Sequence, residues 1–198
     1  MNALPNQLGK LKCPTCGAYR SFLVSTEPGG ICYHCFLPTA RDRLTAIHEA
    51  SHLICLRELF PHREDFALSL NGNDGLCDYG DGFDILASNA LAVHLAGYYG
   101  EEEAWRRALG RKPTYDEMQA GFDGSKHDFE IAEEILAADP KNRPQRSRRC
   151  KERLDDIFRR RWDDIVRLAG TLLEHRTLNS RQILEVLAAP KTLPRPRL

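Results

Sequence analysis

The sequence has no surplus of either charge: 28 Lys and Arg residues are matched by 28 Asp and Glu residues across 198 positions. Such a balance gives no global attraction to nucleic acid or an anionic membrane, so any such binding must come from a local patch. Long apolar runs are absent too, and none approaches the roughly 20 residues that span a bilayer. The opening segment, MNALPNQLGKLKC, lacks the apolar core of a secretion signal. No Gly-x-x-x-x-Gly-Lys-Ser/Thr loop occurs, which excludes nucleotide hydrolysis of the P-loop type. These absences lead to the expectation of a cytoplasmic protein without membrane contact.

Cysteine is not scarce. Four of the seven fall in two Cys-x-x-Cys pairs, Cys13/Cys16 and Cys32/Cys35, with fifteen residues between the pairs. Four thiolates at that spacing can close a tetrahedral shell around a structural zinc ion, and a closed shell has no position left for catalysis. Gly17 suits the tight turn after the first pair, and Pro28, Gly29 and Gly30 mark a turn between the two. The expected organisation is a small zinc ribbon over residues 1–40, a domain over 41–190 and a flexible tail over 191–198. His34 is a bystander beside four sufficient ligands. The second half of this unit is similar to zinc ribbons of primases and other nucleic-acid proteins, an analogy that raises a nucleic-acid partner.

The rest of the chain reads as mainly α. Leu44, Ile47, Ser51, Cys55 and Leu59 recur at steps of three and four, predicting a helix from about Asp42 that Pro61 ends. Phe66, Leu68 and Leu70 alternate, Asn71 to Gly75 supply turn chemistry, and Leu76 to Tyr79 return, predicting a small β-hairpin. A second helical stretch covers Phe83 to Leu109. Its Gly97 and Gly100 weaken a helix unless something packs close there. Gly110 to Lys126 reads as a polar loop, with a short helix starting near Asp128. From Arg146 to Arg176 the pattern is one long helix or two abutting ones, with Leu154, Ile157, Phe158, Ile165, Leu168, Ala169 and Leu172 facing inward. Asn179 or Ser180 caps a last helix that ends before Pro190.

Chemistry concentrates at His48-Glu49-Ala50-Ser51-His52. Two histidines four apart project from one helix face and can hold one metal ion together. A zinc ion there lowers the pKa of its water to about 7, and Glu49 is placed to take that water's proton. A catalytic zinc normally needs a third protein ligand, and neither His62 nor His94 offers a convincing one by local pattern.

At these residues the chain resembles the peptidase domain of the FtsH-type ATP-dependent zinc proteases. Ala46 to His52 is similar to that family's zinc helix, with Ser51 where the family usually has Gly. Leu95-Ala96-Gly97-Tyr98-Tyr99-Gly100-Glu101-Glu102 is similar to its small-residue stretch followed by acids. Gly124 to Ala132 resembles its Gly-x-x-x-Asp segment, and Leu168 to Leu187 its closing helices. The resemblance covers about residues 41 to 188 and implies a zincin-like helical peptidase domain. It implies zinc ligands His48, His52 and Asp128, Glu49 as the base, and Glu101 as an acid that orients a ligand histidine. Without a P-loop, the implied activity is an ATP-independent endopeptidase for flexible or partner-delivered protein substrates.

A second function is also open. Lys141 to Arg161 holds ten Lys or Arg against three acids. This stripe is either a footprint for phosphates or a solvated helix face laced to Glu152, Asp155 and Asp156. With the zinc ribbon, it gives the alternative of a nucleic-acid-binding or regulatory protein on a peptidase scaffold.

Overall fold

The computed structural model describes residues 11–12, 19–20, 33–72, 74–80 and 89–189. Two short strands, β1 (Leu11–Lys12) and β2 (Tyr19–Arg20), pair antiparallel on either side of the first Cys-x-x-Cys. The expected cysteine shell falls outside the described set, since Cys13, Cys16 and Cys32 are not among those residues. Cys35 is the exception in its backbone alone: it lies in the first turn of a long helix, α1 (Tyr33–Leu59). The chain is already helical at Cys35, and α1 runs on across residue 40, the expected boundary between ribbon and domain.

Three quarters of the described residues are helical. From Ala46 to Leu56 every residue of α1 is buried. A helix covered on all sides is a central one, and α1 packs against α2 (Ala90–Leu109), α5 (Arg143–His175) and the hairpin of β3 (Ala67–Asn71) and β4 (Asp74–Asp78). Leu53, Ile54 and Leu56 are 0 to 1% exposed, and each such side chain contributes about 1.5–3 kcal/mol by leaving water.

The hairpin pairs Ala67 with Asp78 through Asn71 with Asp74, and its turn holds Gly72 at a φ of 63°, in the left-handed region that glycine tolerates. One strand is not expected from the sequence. β5 (Thr177–Asn179) adds antiparallel to β3 and makes a three-stranded sheet in the order β4-β3-β5. Three residues are too few to show a period in sequence, and the strand exists because Leu178 buries completely opposite Leu68.

The expected loop at Gly110 to Lys126 is corrected as well: it contains helix α3 (Tyr115–Gly124). Thr114 and Glu117 form a reciprocal capping box that starts it, and Arg111 pairs with Glu117 at 2.7 Å. The guanidinium of Arg111 holds the Glu117 carboxyl down at about 2. Helix α4 (Lys126–Ala137) follows after Ser125 alone. The long pattern near the C-terminus is one helix, α5, and all seven expected inward residues are buried on it. Asn179 caps α6 (Ser180–Ala188) with a second capping box. Among the described residues no helix is long and apolar enough to cross a membrane.

Candidate metal centre

Helix α1 carries His48 and His52 one turn apart inside its buried stretch, at 6% and 2% exposure. Burying two imidazoles is costly unless their polar atoms are used. Helix α2 uses one nitrogen of each. Nδ1 of His52 lies 2.7 Å from the Val93 carbonyl oxygen, and Nδ1 of His48 lies 2.8 Å from Glu101 Oε1. A carbonyl or carboxylate oxygen only accepts, so each Nδ1 carries the proton and each Nε2 of a neutral ring presents a lone pair.

Those two lone pairs face each other and a carboxylate. The Nε2 atoms are 3.0 Å apart, and Asp128 Oδ2 is 3.2 Å from one and 3.3 Å from the other. Asp128 comes from the first turn of α4. No proton sits between three such acceptors when both rings are neutral, which leaves a place for a cation. The separations also match a metal's coordination edge: bonds of about 2.1 Å give about 3.0 Å in an octahedral shell and about 3.4 Å in a tetrahedral one. His48, His52 and Asp128 therefore form a group that fits a metal ion, with nitrogen and carboxylate donors suited to several first-row divalent ions.

The electrostatics agree with that fit. Burial by itself lowers the His48 pKa, but the Asp128 and Glu101 carboxylates, with Glu49 nearby, outweigh it and push the group up to about 10. Asp128 is held well below the usual carboxylate range: burial acts against this, and the two imidazoles overcome it. Three carboxylates thus surround two rings, and the centre is a well for positive charge.

Glu49 differs from every other acid here. It is 6% exposed, and its carboxylate has no hydrogen bond or ion pair among the described residues. Burial raises its pKa, opposed in part by the charges of His52 and His48. Its side chain lies against Gly75 of β4, where any Cβ would collide with it.

Glycines let these pieces approach. A Cβ at Gly97 would strike the His48 ring, one at Gly100 the Ser51 hydroxyl, and one at Gly121 the Glu101 carboxylate. Gly121 thereby seats α3 on α2, and α4 follows with Asp128 in place. Gly124, the glycine of the Gly-x-x-x-Asp segment, has nothing within 4 Å of the place a Cβ would take and no left-handed φ, so it has no such role here. Ser51 is fully buried and donates to the Ile47 carbonyl at 2.7 Å.

Of the other histidines, His62 is exposed and is not one of the ligand group. His94 is buried with its ring 5.8 Å from that of Tyr79, outside the three ligands, and burial and His52 hold it down at about 4. The sequence does not point to Tyr79, whose ring is 6.2 Å from that of His52, nor to Gly75, Gly121 and the Val93 carbonyl. A backbone oxygen leaves no mark in sequence. Two glycines near an anticipated site are a weak signal that could have been followed. Compared with known proteins, the chain matches no family model and no curated protein.

Proposed function

We propose that this chain is an ATP-independent zinc metalloendopeptidase, with a zincin-like catalytic domain similar to that of the FtsH-type proteases. The observation that carries the reading is Glu49, a buried carboxylate without a partner among the described residues, beside a three-donor metal group. A His-His-Asp set alone also suits non-haem iron; an adjacent unpaired base is what hydrolysis needs in addition.

Held by His48, His52 and Asp128, zinc would supply Lewis acidity and an acidified water at near-neutral pH. Glu49 accepts the proton from the attacking water and delivers it to the leaving amine nitrogen. Glu101 and the Val93 carbonyl fix the two rings through Nδ1, leaving both Nε2 atoms free to hold a metal ion. Protein segments reaching this centre would be flexible or delivered by another protein, because the chain has no P-loop to drive unfolding. Cys13, Cys16, Cys32 and Cys35 are proposed to hold a second, structural zinc ion.

The test is Glu49→Gln in the full chain. Metal content should stay unchanged while cleavage of an unstructured protein falls by about 100-fold or more. Cleavage at the wild-type rate would remove the mechanism, and iron in place of zinc in the purified protein would remove the hydrolase assignment.

A further inference from the structure

The basic stripe on α5 is not uniform. Its later part is neutralised: Arg159 and Arg160 pair with Asp156, and Arg160 and Arg161 with Glu58. Earlier in the helix, Arg143 pairs with Glu133 and Lys151 with Asp155, but Arg146, Arg148, Arg149 and Arg153 have no carboxylate partner among the described residues. Glu152 lies among them and pairs with none of them.

Three of these unpaired arginines line one groove. Arg146, Arg149 and Arg153 face the first turn of α2 across a cavity of about 680 Å³, with Leu91 and Cys150 as its apolar part and Glu152 as its one acid. Arg153 donates to the side-chain oxygen of Asn89, and Arg146 donates to the Ile135 carbonyl at 3.0 Å, while Arg149 has no partner among the described residues. Asn89 precedes α2 without capping it through its side chain, so the positive end of that helix adds to the same groove.

We infer that this groove binds a run of phosphates, those of a nucleic-acid strand. Positions 146, 149 and 153 rise by about 4.5 and 6 Å along α5, a spacing on the scale of successive strand phosphates, which occur every ~3.4 Å of axis. Three guanidiniums in a row exceed what one phosphate can use, and each forms forked hydrogen bonds with phosphate oxygens. The apolar wall gives sugars or bases something to lie on, and contacts to phosphates carry no sequence information. Binding is therefore sequence-independent. It needs no hydrolysis at the metal centre and stands apart from the peptidase reading.

The experiment follows anisotropy of a labelled single-stranded DNA of roughly 20 nucleotides with the full chain across salt. Three phosphate contacts predict a slope of log K against log salt of about −2, or about twenty-fold weaker binding between 50 and 200 mM. Arg149→Gln should lower the slope by about 0.7 and Arg149→Lys should restore most of it. The triple variant Arg146→Gln, Arg149→Gln, Arg153→Gln should lose binding. Arg159→Gln with Arg160→Gln removes charge from the paired part and should leave affinity within two-fold or so. Because Arg149 makes no contact that holds the described fold together, its variants answer even if the triple variant unfolds. The inference is overturned by no binding at low salt, by an unchanged slope in Arg149→Gln, or by equal losses from the two parts of the helix.

Discussion

Carboxylates in two regions of this molecule are buried or nearly so and are balanced in different ways. On α5, Asp164 is 3% exposed and meets guanidiniums: Arg167 at 2.5 Å, and Arg161 at 2.8 Å in an ion pair without hydrogen-bond alignment. Around His48, Glu49, Glu101 and Asp128 gather about two imidazoles, and none of them pairs with a Lys or Arg among the described residues. The first arrangement is complete in itself. The second gathers carboxylate charge around two ring nitrogens, and either a proton on His48 or a metal ion held by the three donors answers it. A buried charge that is paired is part of the architecture; a buried charge left over is where chemistry should be sought.

That contrast can be broken at its metal side first. In Gly97→Val the new side chain must occupy the space of the His48 ring, so the three donors can no longer converge. The variant should lose its bound metal at this centre, and with it the ligand-linked stability of about 4 kcal/mol expected at thousandfold excess over Kd. Titration calorimetry and thermal melts with and without chelator measure both. Wild-type metal affinity in this variant would show that the donors do not converge as described. The paired side gives the next effect. Asp164→Ala leaves two arginines facing each other, one of them largely buried, and should cost about 3 kcal/mol in urea unfolding. It should leave metal affinity unchanged. A loss of metal equal to that of Gly97→Val would mean the two regions are not separate.

Much of the centre can be read from the chain without its fold, and the reasons differ by residue. His48, Glu49 and His52 are legible because a helix of 3.6 residues per turn converts a spacing of four into one face. The buried stripe of α5 is legible for the same reason. Asp128 is not derivable from spacing, since it lies 80 positions from His48; only the family resemblance points to it, and the fold places it at 3.2 Å. Helix α3 escapes a sequence reading because Gly121 and Gly124 and a polar composition suggest a loop, although Thr114-x-x-Glu117 announces a helix start. β5 is too short to carry a pattern, and its existence depends on β3 being there to pair with.

Ser51 gives the smallest and most local way to sharpen the contrast. The resembled family usually has glycine at this position, and here a hydroxyl-bearing side chain fills it, one position before His52. It fits because Gly100 opposite has no side chain: a Cβ there would meet the Ser51 hydroxyl. The helix contact of α1 on α2 thus keeps one small residue and one glycine, with the volume carried by α1. Gly100→Ala should therefore destabilise the protein by about 1–3 kcal/mol through overpacking. In a Ser51→Gly background the same change should cost little, because the space it needs has been vacated and alanine favours the helix over glycine. The pair should show a coupling of about 1–2 kcal/mol in a double-mutant cycle read by urea unfolding. Additive effects would mean that Gly100 is tolerated rather than required, and that the approach of α2 to the metal helix is set by Gly97 alone.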